Sequence, residues 1–160
     1  MTEVLQFPGF FLLLCVLCGA LALIDLRRGI IPDGMNLAIA ILGLARTILA
    51  GGTMAGAEAI RDAIVVGALC WLLRRSYFAW RKIQGLGLGD VKFLAAAAIW
   101  VGLSGTPVLI LIAAVTALVA AAGLQISGQS LTRQTSLPFG PFLAVGLVST
   151  IALQQWLGAI

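Results

Sequence analysis

Residues 8–25 read PGFFLLLCVLCGALALID, and Leu26-Arg27-Arg28 follow directly. From Phe10 to Ile24 every residue is apolar or small, a run that at 1.5 Å per residue crosses much of a bilayer's hydrocarbon. Its length invites comparison with a signal peptide. The only charge before it is Glu3, however, so a basic leading region is missing. Asp25, Arg27 and Arg28 stand where a small-residue cleavage site would be. The segment therefore reads as a retained membrane helix that ends on a carboxylate.

The rest of the chain continues in the same manner. Hydrophobic residues make up 61% of the 160 positions and charged residues 10%, against about 25% charged in a soluble domain. The mean hydropathy is +1.11. Apolar runs of membrane-spanning length fall at about 8–25, 35–50, 57–73, 90–104, 106–125 and 138–157. The expected fold is thus all-α, a polytopic membrane protein of about six helices forming a single membrane-embedded domain over 1–160. The chain has no internal repeat and no stretch outside the runs larger than a loop. The net charge of +4 does not point to nucleic acid, because the basic residues lie in short loops where they set topology against anionic lipid. With six helices, Arg27, Arg28, Arg74, Arg75, Arg81, Lys82 and Arg133 share one side, with Lys92 just beyond. Only Arg46 and Arg61 fall toward the other. The positive side is expected to be cytoplasmic, with both termini outside.

That orientation places two aspartates on one face, at the cytoplasmic ends of helices one and four: Asp25, and Asp90 at the close of GLGLGD (85–90). An ionisable group beside a membrane segment is costly unless paired, hydrated or used. Asp90 has a simpler explanation as an N-cap after glycines. Asp25 is harder to dismiss, since the C-terminal end of a helix disfavours negative charge. Arg27 and Arg28 also stand too close in sequence to face it squarely. Gly85, Gly87 and Gly89 alternate, which suits an irregular loop with unusual backbone angles and close approach of a substrate. No GxGxxG spacing or preceding strand supports phosphate binding.

The chain contains no histidine, which excludes Ser-His-Asp and Cys-His mechanisms. Ser104, Ser136 and Ser149 have no credible activating neighbour, and HExxH is absent. Cys15, Cys18 and Cys70 are too few for a four-ligand zinc site without histidine and read as packing residues. No metal or cofactor is expected. Two aspartates sharing a water is the hydrolytic mechanism these residues can assemble.

GLGLGDVK (85–92) resembles the GxGD motif of intramembrane aspartyl proteases, and Lys92 makes it the GxGDxK form of type IV prepilin peptidases. IDLRRGIIPD (24–33) resembles that family's first motif, and LPFGPFLAVG (137–146) its C-terminal Pro-Phe-Gly-Pro segment. The three occur in the family's order and cover roughly 20–146. The resemblance implies an endopeptidase of the bacterial inner membrane that removes the basic leader of prepilin or pseudopilin substrates after a glycine, at the cytoplasmic face. It assigns the catalytic pair to Asp25 and Asp90, with Gly87, Gly89, Lys92, Pro138 and Gly140 supporting the site or contacting substrate. Many members carry an N-terminal extension with paired CxxC motifs and methylate the new amino terminus. This chain resembles the short, peptidase-only members, so any methylation of the product would need a separate methyltransferase. Two other classes fit the same residues: a small membrane transporter, or a non-catalytic assembly factor of a pilus or secretion system.

Two neighbouring carboxylates share a proton, one activating water and the other hydrogen-bonding the oxyanion. Helix one turns its negative end toward Asp25 and helix four its positive end toward Asp90, so Asp25 is expected to hold the proton. Pro32 and Pro138 are expected to start helices two and six, with Pro141 in the first turn of the latter. Asp33 and Asn36 read as caps of helix two, and Glu58, Arg61 and Asp62 as a surface ion network. Arg74 to Gly89 reads as a cytoplasmic loop with an aromatic, basic and interfacial stretch that favours lipid contact.

Overall fold

The computed structural model describes residues 8–82, 86–126 and 138–157. All regular structure among them is helical: α1 (Pro8–Arg28), α2 (Asp33–Arg81), α3 (Leu88–Ile126) and α4 (Gly140–Leu157). Each is long and apolar enough to cross a membrane, so the structure contains four candidate membrane helices where the sequence suggested about six.

Two of the four are broken internally. Gly52 (φ 75°, ψ −173°) interrupts α2, and Gly102 (φ 72°, ψ 177°) interrupts α3. Both occupy backbone conformations that a Cβ would disfavour. Contacts across the breaks show that the chain turns back at each. A Cβ on Gly56 would meet Ile48 Cγ1 at 2.6 Å and Leu44 Cδ1 at 3.7 Å. On a continuous helix residues 44 and 56 would lie about 18 Å apart along the axis. In α3, Val101 meets Gln154 near the end of α4, whereas Asp90 lies beside Asp25, which is bonded to Gly140 at the start of α4. Segment 88–101 therefore runs parallel to α4. Segment 103–126 returns antiparallel to it, with Leu109 and Ala113 against Gly146. Segment 53–81 runs antiparallel to 88–101, through Asp62 with Leu103, Gly67 with Ala95, and Arg74 with Leu86.

The breaks are chemically completed. Asp62 Oδ2 accepts the Leu103 N–H at 2.9 Å, a donor freed by the kink, and the Thr106 hydroxyl donates to the Gly102 carbonyl at 2.9 Å. Pro107 falls at the start of the returning segment, where a missing N–H costs little. The expected ion network thus has a definite task. Asp62 pairs with Arg61 at 2.9 Å and caps the second half of α3.

The core lies between the halves of α3, α1 and α4, around Leu14, Leu21, Ile39, Phe93, Leu109, Leu143 and Leu147, all fully buried. Trp100 spans from α3 to α2, donating Nε1–H to the Ile39 carbonyl at 3.0 Å and laying its ring on Gly43. Leu12, Val16, Leu37, Ile41, Leu111, Leu118 and Val119 face outward. In a soluble protein so much exposed apolar surface would be a liability. On a membrane protein it is the lipid-facing side.

The loop expected from Arg74 is instead helical as far as Arg81, and α2 closes at Lys82 with a left-handed residue (φ 57°). No glycine or proline stands between Gly67 and Gly85, so the helix outlasts its apolar stretch; leaving hydrocarbon does not by itself end a helix. Gly85 and Arg133 lie outside the described residues.

Candidate active site

Asp25 stands one turn before the end of α1, which is closed by Gly29 in a left-handed conformation (φ +64°) donating its N–H to the Asp25 carbonyl at 2.7 Å. The Asp25 side chain turns inward and is 4% exposed. Its Oδ2 accepts the backbone N–H of Gly140 at 2.8 Å. Gly140 is the first residue of α4, whose initial carbonyl-accepting residue is Phe139, bonded by the N–H groups of Phe142 and Leu143. A Cβ at Gly140 would lie 2.6 Å from Asp25 Oδ2 and 2.9 Å from its Cγ. The Pro-Phe-Gly-Pro segment is therefore more than a turn: its glycine lets Asp25 reach the start of α4. Pro138 precedes the helix, half-buried, and Pro141 falls in the first turn as expected.

Asp90 is the third residue of α3, where an N-cap had been one reading. Gly87 takes the cap position, accepting the Val91 N–H at 3.2 Å. The Asp90 carboxylate reaches back to the Gly87 N–H, the reciprocal half of a capping box. A Cβ on Gly87 would fall 2.9 Å from Asp90 Oδ2, and one on Gly89 2.9 Å from Ile31 Cβ. The two motif glycines thus make room for the chain's own groups. Neither has a positive φ, which corrects the expectation of unusual backbone angles; among the described residues that conformation belongs to Gly29, Gly52, Gly102 and Lys82.

The two carboxylates, from α1 and α3, lie close enough to interact electrostatically. Among the described residues neither forms a salt bridge. The dipole argument for placing the proton on Asp25 loses its premise here. Asp25 ends α1 but also accepts an N–H at the positive end of α4, so each aspartate sits on a helix N-terminus.

Lys92 does not reach Asp90. Its ammonium bonds both oxygens of Asp33 at 2.7 Å, in an exposed pair joining α3 to the first turn of α2. Asp33 is accordingly a tether, and Asn36 is no cap either: its Nδ2 donates to the Gly89 carbonyl at 3.4 Å. The helix starts at Pro32 without a side-chain cap.

Residues 12–122 match the sequence profile of the type IV leader peptidase family. The chain belongs to that family. It is 36% identical over 140 residues to a prepilin leader peptidase/N-methyltransferase of Burkholderia pseudomallei (86% of this chain, 44% of that protein). The Dickeya chrysanthemi protein of the same name is 39% identical over 145 residues (86% and 50%). That of Escherichia coli K12 is 31% identical over 151 (93% and 64%). The chain spans about half the length of the curated relatives it matches. No solved structure matches it.

In this leader peptidase family member, three residues around the aspartates were not legible as site residues. Ile31 packs on Gly89, Arg74 donates Nε–H to the Leu86 carbonyl at 2.9 Å, and Asn36 holds Gly89. Together they fix the described part of the glycine stretch from both halves of α2. The available signal was Asn36, a lone amide in an otherwise apolar run.

Proposed function

We propose that this chain is a membrane aspartyl endopeptidase that cleaves the leader of prepilin-like proteins after a glycine. The observation that carries the reading is the convergence of Asp25 and Asp90 from separate helices at one end of the bundle, without a neutralising cation among the described residues. Two such carboxylates hold one proton between them. The ionised member takes a proton from water as it attacks the scissile carbonyl, and the protonated member donates to the developing oxyanion. The N–H groups of Gly140 and Gly87 hold the carboxylates in place.

In this reading the segments on either side of Gly52 and of Gly102 are separate passes, which makes six. Segment 53–81 is about 43 Å long at 1.5 Å per residue and exceeds a hydrocarbon core of about 30 Å, which leaves its basic, aromatic end in the headgroups. Segment 88–101, which begins two residues before Asp90, is only about 21 Å long, shorter than that core. Arg27, Arg28, Arg74, Arg75, Arg81, Lys82 and Lys92 cluster at the aspartate end, and Arg46 and Arg61 lie toward the other. This favours a cytoplasmic site in the bacterial inner membrane. Prepilins or pseudopilins are the proposed substrates, presented where a basic leader meets an apolar helix.

Cleavage of a prepilin in proteoliposomes, beside Asp25→Asn and Asp90→Asn, tests this. Cleavage after the leader glycine should fall about 10³-fold or more with either change. Wild-type rates in both variants would refute the aspartyl mechanism.

A further inference from the structure

Asn36 lies one turn into α2 and is 5% exposed. Its Nδ2 donates to the carbonyl of Gly89, the residue just before Asp90. Its Oδ1 is buried and has no hydrogen-bond partner among the described residues. The neighbour fixes the sense of the amide, because turning it over would set Oδ1 against the Gly89 carbonyl, acceptor to acceptor.

The bond to Gly89 is an addition to the helix's own ladder. Gly89 is inside α3, where its carbonyl already accepts the intrahelical N–H four residues on. The added bond from Asn36 is long, and it comes with an orphaned acceptor in a site where leucine would fit the same helix. A buried polar atom left without a partner calls for an explanation, and positions that break a local rule concentrate where a protein does chemistry. Gly89 is pressed on Ile31 and Leu86 is held by Arg74, so Asn36 supplies the polar tie from α2 that lies nearest in sequence to Asp90.

We propose that Asn36 is a positioning residue of the aspartate pair: its N–H fixes the first turn of α3, and with it the Asp90 carboxylate, while its Oδ1 takes the hydrogen of a water held beside that carboxylate. This rests on the peptidase reading above. The amide acts through Gly89 and a water and does not touch the scissile bond. A substrate helix need not contact it, so its loss acts on turnover and spares affinity.

The test is prepilin cleavage in proteoliposomes by wild type, Asn36→Leu and Asn36→Asp, with Asp25→Asn alongside and thermal unfolding of each. Asn36→Leu removes the orphaned acceptor, so its melting temperature should equal or exceed that of wild type. Its kcat should fall about 10–100-fold, the cost of a small misplacement, with KM little changed. Asn36→Asp keeps the shape, but its ionised form has no hydrogen to give Gly89 and its protonated form does. Its activity relative to wild type should therefore rise as pH falls, a response that a packing role would not produce. Should Asn36→Leu fail to fold, the pH response of Asn36→Asp decides alone. Wild-type kcat in Asn36→Leu, or a ratio for Asn36→Asp that is flat with pH, would overturn the proposal provided Asp25→Asn is inactive. Cleavage by Asp25→Asn at the wild-type rate would instead overturn the peptidase reading itself.

Discussion

The two ends of this helical bundle solve the same problem, carboxylates held against helix starts away from open solvent, in opposite ways. At the reversal end, Asp62 accepts the freed N–H of Leu103 and is neutralised by Arg61 at 2.9 Å. At the other end, Asp25 and Asp90 also accept backbone N–H groups, from Gly140 and Gly87, but each faces a second carboxylate. Arg27 and Arg28 stand two and three residues from Asp25, yet they are exposed while it is buried. The first arrangement satisfies a charge. The second sets two carboxylates near each other with no salt-bridge partner among the described residues, the arrangement that the proposed peptidase chemistry would use.

That contrast can be broken most sharply by moving identical chemistry between the ends. Asp25→Asn and Asp90→Asn should cost about 10³-fold or more in cleavage, with little loss of stability, because the amide oxygen of asparagine can still accept the backbone N–H that each carboxylate accepts. Asp62→Ala should do the reverse. It strips a cap and an ion partner, lowering stability by about 0.5–2 kcal/mol while prepilin cleavage continues. Thermal unfolding and cleavage measured on the same preparations would show this double dissociation. Inactive but normally stable Asp62→Ala would mean that the reversal end also takes part in function.

Glycines provide the next test, because both ends use them to bring groups close. Gly140→Ala would push a methyl onto the Asp25 carboxylate, 2.6 Å from Oδ2. Displacing a reacting group by about an ångström costs on the order of 10²-fold in rate. Gly43→Ala would drive a methyl into the Trp100 ring, which is tethered to the Ile39 carbonyl and cannot easily retreat. Overpacking of this kind costs about 1–3 kcal/mol, far from the aspartates. Loss of activity at wild-type stability for Gly140→Ala, and the opposite for Gly43→Ala, would confirm the division. Equal loss of stability in both would erase it.

Much of this was readable before any coordinates. Membrane class, helical content and the pairing of Asp25 with Asp90 followed from the apolar runs and from two carboxylates set against them. Boundaries and polar partners did not. Hydropathy reports where a helix is apolar, so it placed the end of the third run near residue 73, although the backbone has no reason to stop before Lys82. It separated the apolar runs near Gly52 and Gly102 but could not show that each break is a single residue inside an otherwise helical stretch. Lys92 entered the expected site through the resemblance of GLGLGDVK to the GxGDxK motif, two residues after Asp90. On a helix that spacing points them to different faces, and the lysine instead meets Asp33, distant in sequence. The dipole reading of Asp25 considered only its own helix, since the arrival of α4 at Gly140 is a tertiary fact.

The smallest expected effect concerns that lysine. Lys92 and Asp33 are both substantially exposed, 49% and 72%, so their Coulomb attraction is shared with water and ions. Asp33 loses little when its partner goes, because the first turn of α2 already favours a negative charge. Lys92→Met should therefore lower stability by only about 0.2–1 kcal/mol at low ionic strength. At about 1 M salt the Debye length shrinks to about 3 Å, and the difference from wild type should largely vanish. A deficit that persists in high salt would show that the short hydrogen bonds from the ammonium to both Asp33 oxygens, and not screenable Coulomb attraction, carry the tie. The link between the first turns of α2 and α3 would then resemble the bonded, satisfied charge of the reversal end more than the unpaired carboxylates beside it.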